Sequence, residues 1–239
     1  MIVAMLRVKN EARWIEEVLV ALKPCCDALY VFDDHSEDET LDIASSCGAH
    51  VMESPFDGID ESRDKDRLLE WIRGEVEIGS WVLCIDGDEV LEPAGPGKIK
   101  ELALGAHDAY QFRILYLWND RYTVRTDGVY GRFFRPSMFR LADGQSFRRT
   151  GAHANLHCSS VPASLVGKVR QSDVSLLHLG YMDRADRIRK YEWYKSIDPD
   201  NSCEDGYRHV VIGDLFSPQS RFLHAGPLKL ESVCKPLAR

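Results

Sequence analysis

This 239-residue sequence lacks any long apolar segment. No run approaches the roughly 18 apolar residues that a membrane-spanning helix needs. The apolar start, residues 1–6, meets Arg7 and Lys9 too early for the core of a signal peptide, so a first β-strand is the better interpretation. We therefore expect no transmembrane segment, while peripheral contact with a membrane stays open.

Paired cysteines and excess positive charge are also missing. The seven cysteines are scattered and form no C-x-x-C pair, which indicates reduced thiols and a cytoplasmic protein rather than a disulfide framework. The formal net charge of -8 at pH 7 argues against general binding to nucleic-acid backbones.

The common phosphate-binding loops are absent as well. No G-x-G-x-x-G follows any predicted strand, so an ordinary dinucleotide-binding fold would lack its phosphate loop. The segment Gly95–Lys98 ends in Gly-Lys but has neither the earlier glycine nor the following Ser or Thr of a P-loop.

What the first 90 residues do contain is an alternation of strands and helices. Apolar runs predict strands over residues 2–6, 28–32, 50–53 and 81–85, and helical periodicity predicts helices over residues 12–22, 36–47 and 62–73. A capping box of Ser36 and Glu39 would start the second helix, and glycines at 48 and 74 would end the second and third. This alternation predicts an α/β fold with a central, mostly parallel sheet covered by helices on both faces.

The pattern changes after Pro93. We expect a short helix near residues 99–104, a strand over 110–117, a β-rich region from about residue 127 to 175, a strand over 174–179, a helix capped by Asp183, and an irregular tail. We therefore divide the chain into residues 1–120, an α/β half, and residues 121–239, a smaller β-rich half of the same compact domain.

The stretch that carries most of the chemistry is an apolar run, Trp81–Ile85, that ends in Asp86, Gly87 and Asp88. Two nearby carboxylates repel each other unless a cation lies between them, which favours a divalent metal ion. An ordinary polar turn is the alternative, because Asp-Gly is common in turns. The segments Arg7–Glu11 and Asp33–Asp34 also follow strands, and parallel strands bring such loops to one sheet edge, where ligands bind.

These motifs resemble the family 2 glycosyltransferases, which have the GT-A fold and a DxD motif. The resemblance covers about the first 120 residues through Val8–Glu11, Asp33–Thr40 and Asp86–Glu89. It resumes in four further places: Arg132–Arg135, Gly151–His153, His178–Tyr181, and Arg187 with Lys190.

The resemblance implies a nucleotide-sugar site and a metal ion, Mn²⁺ or Mg²⁺. Asp34 would accept a hydrogen bond from the nucleobase of a UDP-sugar, Asp86 would face the ribose or the sugar, and Asp88 would bind the metal that bridges the two phosphates. The full set of implied donor-binding residues is Arg7, Asn10, Glu11, Asp33, Asp34, Arg63, Asp64, Arg67, Asp86 and Gly87, with Asp88 and His178 as metal ligands. There are alternatives to these roles. Asp34 would cap a helix, Arg67 would lie on a solvated helix face, and His178 would have a structural role.

The catalytic base is not identified by the pattern. An inverting transfer needs a group that accepts the acceptor hydroxyl proton, and related sequences often carry His-Glu where this chain has His153 followed by Ala154. Asp127 and His153 are our candidates, with Asp120 and Asp143 as further carboxylates. An arginine and phenylalanine cluster over residues 132–149 fits either a half-solvated sheet or a groove for anionic groups.

The sequence therefore predicts a metal-dependent, inverting hexosyltransferase that moves a hexose from a nucleotide-diphosphate sugar, UDP-linked by expectation. The acceptor would be a glycan, a lipid-linked saccharide or a small molecule. A sugar nucleotidyltransferase and a catalytically weak nucleotide-sugar-binding protein are the alternatives. The sugar, the acceptor and the oligomeric state are not determined by sequence, because specificity depends on loop shape.

Overall fold

The computed structural model describes residues 1–147, 156–201, 205–221 and 226–233. The chain divides into two compact units. Unit 1 comprises Met1–Phe112 and Arg135–Val174, and unit 2 comprises Arg113–Phe134 and Ser175–Arg239. The division at residue 120 stays a sequence-based prediction, and it is not the boundary of these units.

The secondary structure alternates first and becomes β-rich later. In chain order the elements are β1 (Ile2–Val8), α1 (Ile15–Leu22), β2 (Ala28–Asp33), α2 (Thr40–Ser46), β3 (His50–Glu53), α3 (Glu61–Glu75), β4 (Trp81–Cys84), β5 (Glu89–Leu91), α4 (Gly95–Ala103), β6 (Ala109–Trp118), β7 (Asp120–Arg125), β8 (Phe134–Arg140), a 3₁₀ turn (Ala163–Leu165), β9 (Arg170–His178), α5 (Arg184–Ile197), a kinked 3₁₀ segment (Asp205–Val211) and β10 (Leu230–Ser232). The strands β5, β7 and β10 were not predicted from the sequence.

Unit 1 contains a mostly parallel sheet in the order β8-β4-β1-β2-β3. β1 pairs in parallel with β2 and with β4, and β2 pairs in parallel with β3. The exception is β8, which is antiparallel to β4 with Leu83 opposite Met138. The predicted α/β class with a central, mostly parallel sheet and flanking helices is confirmed.

The sheet is buried on both faces, as parallel sheets require. On one face, Val3, Met5 and Phe32 pack in a cluster with Leu68 and Ile72 of α3. Side chains alternate along a strand, so the residues between them point to the other face. Those residues of β1, Ala4 and Leu6, are fully buried too, and α1 buries one apolar face of its own.

Several predicted helix boundaries are wrong, beginning with those of α2 and α3. The helix expected from Ser36 begins at Thr40, because the Ser36 hydroxyl accepts the backbone N–H of Asn10 and does not cap a helix. The helix expected to end before Gly74 continues to Glu75, where the chain becomes extended at Val76. The stop at Gly48 is confirmed by its left-handed φ of 77°.

The first helix is also shorter than expected, beginning at Ile15 instead of Ala12. Asn10 adopts a left-handed φ of 54°, and the N–H groups of Glu11 and Ala12 bind the side chains of Thr40 and Asp38. These N–H groups therefore hold the loop to its neighbour instead of starting a helix.

Unit 2 contains the antiparallel strands β10 and β7 and the later part of β6, residues 113–118, with Leu230 opposite Arg125 and Leu117 opposite Val124. Trp118 lies between two buried arginines, with the guanidinium of Arg125 4.7 Å and that of Arg187 4.5 Å from its ring centre. Within the described residues, no helix is both long and apolar enough to cross a membrane.

The core of unit 1 yields a direct test. Ile72→Ala should lower the free energy of unfolding by about 2–5 kcal/mol, because it leaves a cavity where the side chain is 0% exposed. Ile78→Ala is the matched control, since Ile78 is 49% exposed and a surface change costs about 0.5 kcal/mol or less. Urea denaturation measures both, and equal losses would contradict the packing of α3 on the sheet.

Candidate functional site

The candidate site lies at the carboxyl ends of the parallel strands of unit 1, where ligands bind in open α/β sheets. The loops after β1 and β2 are bound to each other there. The Ser36 hydroxyl accepts the Asn10 N–H at 2.8 Å, and the Asn10 side-chain oxygen accepts the Glu37 N–H at 2.8 Å. The Thr40 hydroxyl accepts the Glu11 N–H at 2.8 Å. The two loops therefore form one connected frame.

A chain of buried ion pairs crosses this frame. Arg7 donates to Asp34 at 2.6 Å and to Asp64 at 3.0 Å. Arg63 donates to the other Asp64 oxygen at 3.0 and 2.8 Å, so that carboxylate is held by two arginines. Lys9 donates to the backbone oxygen of Asp34 at 2.8 Å. Arg7 and Asp64 thus hold Asp34 in place at the end of β2.

The outer part of α3 contributes less to this frame. Besides Asp64, Arg63 binds the backbone oxygens of Asp57 and Gly58, at 3.1 and 2.8 Å. Arg67 binds Glu70 at 3.0 Å, and both side chains are exposed. Direct contact of Arg63 and Arg67 with a nucleotide sugar stays a prediction, and the surface pair expected for Arg67 is present.

Asp33 presents an unused acceptor. Its residue is 2% exposed, and one side-chain oxygen accepts the Ser36 N–H at 2.9 Å. The other oxygen, Oδ1, is buried and has no hydrogen-bond partner among the residues that the structure describes. A buried acceptor without a donor is costly, so this atom fits a site whose ligand supplies the donor.

The acidic segment Asp86–Glu89, called here the carboxylate turn, joins β4 to β5. Gly87 packs against the loop after β1: a Cβ atom on Gly87 would lie 2.9 Å from Val8 Cγ1 and 3.0 Å from Glu11 Cγ. Val8 is also the register partner of Asp33. The carboxylate turn, Glu11 and Asp33 therefore converge around Val8.

Arg135 of β8 binds two members of this turn. It donates to Asp86 at 2.5 Å and also forms a hydrogen-bonded ion pair with Glu89. Glu89 is 1% exposed, whereas the Asp86 side chain is 43% exposed. The sequence analysis placed Arg135 in an arginine cluster but did not identify this pairing. The pairing follows from the register of β8 on β4.

The two carboxyl groups respond in opposite ways. Burial acts to raise the pKa of Asp86. Arg135 and Lys65 lower it by a larger amount, so the net pKa is below the ordinary value. Burial raises the pKa of Glu89 to about 7, a shift that Arg135 opposes and that Asp86 and Asp88 reinforce. The turn therefore holds a firmly ionised Asp86 beside a Glu89 that titrates near neutrality.

Lys65 is a second buried cation that sequence reasoning missed. It binds Glu61 at 2.6 Å, and its side chain is 3% exposed. Burial acts to lower the pKa of Lys65, but Glu61 and more distant acidic groups, including Asp86, raise it overall. Lys65 therefore stays charged and contributes a positive field at the carboxylate turn.

A divalent metal ion fits the oxygen donors of this turn. The buried Asp88 offers hard oxygen ligands, which suit Mg²⁺ or Mn²⁺ completed by water and phosphate oxygens. Within the described ranges, no three His, Cys, Asp or Glu side chains group as a metal site. Protein carboxylates alone would supply part of the coordination shell, as is usual for Mg²⁺ with phosphate substrates.

The remaining predicted residues lie in unit 2 or outside the described residues. His178, at the end of β9, has its ring centre 5.0 Å from Tyr116 and 4.5 Å from Tyr181. Asp127 accepts two hydrogen bonds from buried Arg125, at 2.9 and 2.8 Å, and one from the Lys229 N–H at 2.9 Å. His153 lies outside the described residues. The metal role of His178 and the basic role of Asp127 stay predictions.

Sequence comparison finds related proteins of limited coverage, and no protein-family model matches the chain. A Rickettsia bellii protein named uncharacterized glycosyltransferase is 27% identical over 132 residues, which is 53% of this chain and 42% of that protein. One of the same name from Rickettsia felis is 30% identical over 115 residues, covering 46% and 38%. The chain thus matches about two fifths of the length of these relatives.

Solved structures of glucosyl-3-phosphoglycerate synthase from Mycobacterium tuberculosis also match. The complex with Mn²⁺, UDP and glucosyl-3-phosphoglycerate is 23% identical with a TM-score of 0.38, covering 48% of this chain and 44% of that one. The complex with Mg²⁺ and UDP is 24% identical with a TM-score of 0.39, covering 48% and 43%. Similarity at this level is too low to transfer residue roles to this chain.

The packing of the carboxylate turn predicts the effect of a single methyl group. Gly87→Ala should lower the free energy of unfolding by about 1–3 kcal/mol, because the added Cβ meets Val8 and Glu11 at close range. Gly97→Ala in α4 is the control: nothing lies within 4 Å of its Cβ, so a gain of about 0.5–1 kcal/mol is expected. A Gly87→Ala variant as stable as wild type in urea would contradict this packing.

The raised pKa of Glu89 predicts a pH dependence of stability. The folded chain retains a proton at pH values where the unfolded chain has released it, so the free energy of unfolding should fall as pH rises from 4.5 to about 7. Glu89→Gln should flatten this part of the profile, measured by urea denaturation at several pH values. Glu77→Gln, at an exposed position, controls for the loss of one charge. Identical profiles for wild type and Glu89→Gln would refute the shift.

Proposed function

We propose that this chain is a family 2 glycosyltransferase with the GT-A fold. It transfers a hexose from a nucleotide-diphosphate sugar, specifically a UDP-sugar, and uses Mn²⁺ or Mg²⁺. The acceptor is a glycan, a lipid-linked saccharide or a small molecule, the transfer inverts the anomeric centre, and the protein is cytoplasmic. The relatives named as glycosyltransferases support this proposal over the part of the chain that they match.

The observation that carries the proposal is the unused Asp33 oxygen. This oxygen is a buried acceptor at the end of β2, and no described residue donates a hydrogen bond to it. Its register partner Val8 packs against Gly87 of the carboxylate turn. A nucleotide sugar has a matching order of groups, since base and ribose offer N–H and O–H donors while the diphosphate needs cations. One ligand of this kind would satisfy both ends of the site.

The residues of unit 1 divide the work of binding. Asp33 accepts a hydrogen bond from the base or the ribose, and Glu11 lies close enough to the carboxylate turn to contact the same ligand. Asp34 is held by Arg7 and turned toward the nucleobase. Asp86 accepts a hydroxyl of the ribose or the sugar. Arg7 and Asp64 act mainly by positioning Asp34, because their charged groups bind each other and Arg63.

Asp88 is the carboxylate proposed to hold the metal ion, with His178 as a proposed further ligand. When bound, the metal ion neutralises the charge that develops on the departing diphosphate, so no proton has to be supplied there. The cations beside the turn, Arg135 and Lys65, keep Asp86 ionised through their positive field. Asp86 thus remains an acceptor throughout the physiological pH range.

The base that removes the acceptor proton remains open between Asp127 and His153. The hydrogen bonds described for the Asp127 side chain come from Arg125 and the Lys229 N–H, which favours a structural role in unit 2. Histidine is the side chain that most often serves as a general base in enzymes. Our proposal therefore favours His153 over Asp127.

Two other functions are distinguished by simple assays. A sugar nucleotidyltransferase would release pyrophosphate from a nucleoside triphosphate and a sugar phosphate, and a weak binding protein would bind a nucleotide sugar without turnover. Metal-dependent hydrolysis or transfer of a UDP-hexose separates the proposed glycosyltransferase from both.

A thermal-shift panel of UDP, GDP, ADP and CDP, with and without Mn²⁺, tests the donor site. UDP at 100-fold its dissociation constant stabilises the folded state by about 2.7 kcal/mol, which raises Tm by roughly 5–10 °C for a chain of this size. Asp88→Asn should remove the Mn²⁺-dependent part of the shift. Asp33→Asn should weaken UDP binding with and without metal, because its amide places a donor where the ligand donates.

Asp42→Asn, an exposed residue of α2, is the matched control and should behave as wild type. Equal shifts with all four nucleotides would contradict the uridine assignment. An Mn²⁺-dependent UDP shift that survives Asp88→Asn would contradict the metal role of Asp88.

A further inference from the structure

The guanidinium of Arg135 occupies the end of the candidate site, and the sheet register brings it there. β8 runs antiparallel to β4, with Leu83 opposite Met138 and Val82 opposite Phe139. Continuing this register past the end of β4 places residue 135 opposite Asp86. The contact is therefore a consequence of strand pairing and not of a flexible side chain reaching across the surface.

The nitrogens of this guanidinium are directed to three acceptors. One terminal nitrogen donates to Asp86 at 2.5 Å and the other donates to Glu89. Nε donates to the Ser137 hydroxyl at 3.4 Å. A planar fork that spans two carboxylates has a defined orientation, which a lysine cannot reproduce.

The two carboxylates differ in how exposed they are and in how many groups bind them. Glu89 is buried, and its Oε2 also accepts the Asp86 N–H at 3.2 Å. The Glu89 N–H in turn donates to the Asp86 backbone oxygen at 3.1 Å. Glu89 is thus the fixed end, and Asp86 is the end that faces solvent. Because Arg135 binds both groups, it restrains the exposed Asp86 carboxylate relative to the buried Glu89.

We propose that Arg135 is a positioning residue that presets the Asp86 carboxylate to accept a hydroxyl of the hexose, leaving metal binding to Asp88. Because Arg135 occupies one Asp86 oxygen and adds a positive charge beside it, Asp86 is a poorer metal ligand and a better-oriented hydrogen-bond acceptor. The statement about the hexose rests on the proposed function, while the hold of Arg135 on Asp86 does not.

A simpler role for Arg135 would be to compensate the buried charge of Glu89, and a double variant separates the two roles. Arg135→Met leaves Glu89 without its guanidinium, so the fold should lose stability. Adding E89Q removes that buried charge and should restore most of the stability. Charge compensation is then no longer needed, but the orientation of Asp86 is still lost.

The measured quantity is the affinity for a UDP-sugar divided by the affinity for UDP. The UDP-sugar used is whichever of UDP-glucose, UDP-galactose and UDP-N-acetylglucosamine the wild-type chain binds most tightly. Both R135M and R135M/E89Q should lower this ratio about 10-fold, in the range seen when a supporting residue of a site is removed. The control is Arg140→Met on the same strand, whose guanidinium binds the Gly79 oxygen and stacks on Trp81. It should leave the ratio unchanged.

Recovery of the wild-type ratio in R135M/E89Q would show that Arg135 only compensates charge, and it would overturn the proposal. Equal losses of UDP and UDP-hexose affinity in both variants would overturn it as well, because they would indicate general damage to the site.

Hydrogen exchange of the peptide covering residues 84–91, measured without ligand, separates this inference from the proposed function. Faster exchange in R135M/E89Q, but not in R140M, supports the hold of Arg135 on the carboxylate turn. Unchanged exchange refutes it. If the wild-type chain binds no nucleotide, the proposed function and the hexose statement fail together, and the exchange result still decides whether Arg135 positions the turn.

Discussion

The site depends on one constraint, the parallel pairing of β1 with β2 on one side and β4 on the other. Because all three strands run in the same direction, the segments that follow them begin at the same edge of unit 1. Val8 at the end of β1 contacts both neighbours, with Asp33 as its register partner and Gly87 packed against its side chain. The pairing of the backbone strands therefore places the acidic residues close together, whatever their side-chain conformations.

Carboxylates that lie close together at one edge repel each other, and neighbouring cations offset this repulsion. α3 provides Lys65, and β8 provides Arg135. Arg7 of β1 joins Asp34 to Asp64. Positioned charges of this kind cost no reorganisation when a ligand arrives, which is the property that a binding site for a charged substrate needs.

The fold could be predicted from sequence further than the site could. Apolar periodicity identified β1 to β4 and their helices, because burying one face of an element imposes its own spacing. The start of α2 was wrong, since the Ser36 hydroxyl had two possible N–H partners and the loop after β1 provided the one it binds. The pairing of Arg135 was missed because it joins residues 49 positions apart.

The sequence by itself determined which strands are followed by acidic residues and that these strands are parallel. Both properties follow from the order of residues along the chain. Only the tertiary structure decided which carboxylates are already paired and which remain available. Asp64 and Asp127 proved to be bound by arginines, while Asp33 keeps a buried oxygen that has no partner in the described part of the chain. Burial and pairing depend on neighbours distant in sequence, so no local pattern encodes them.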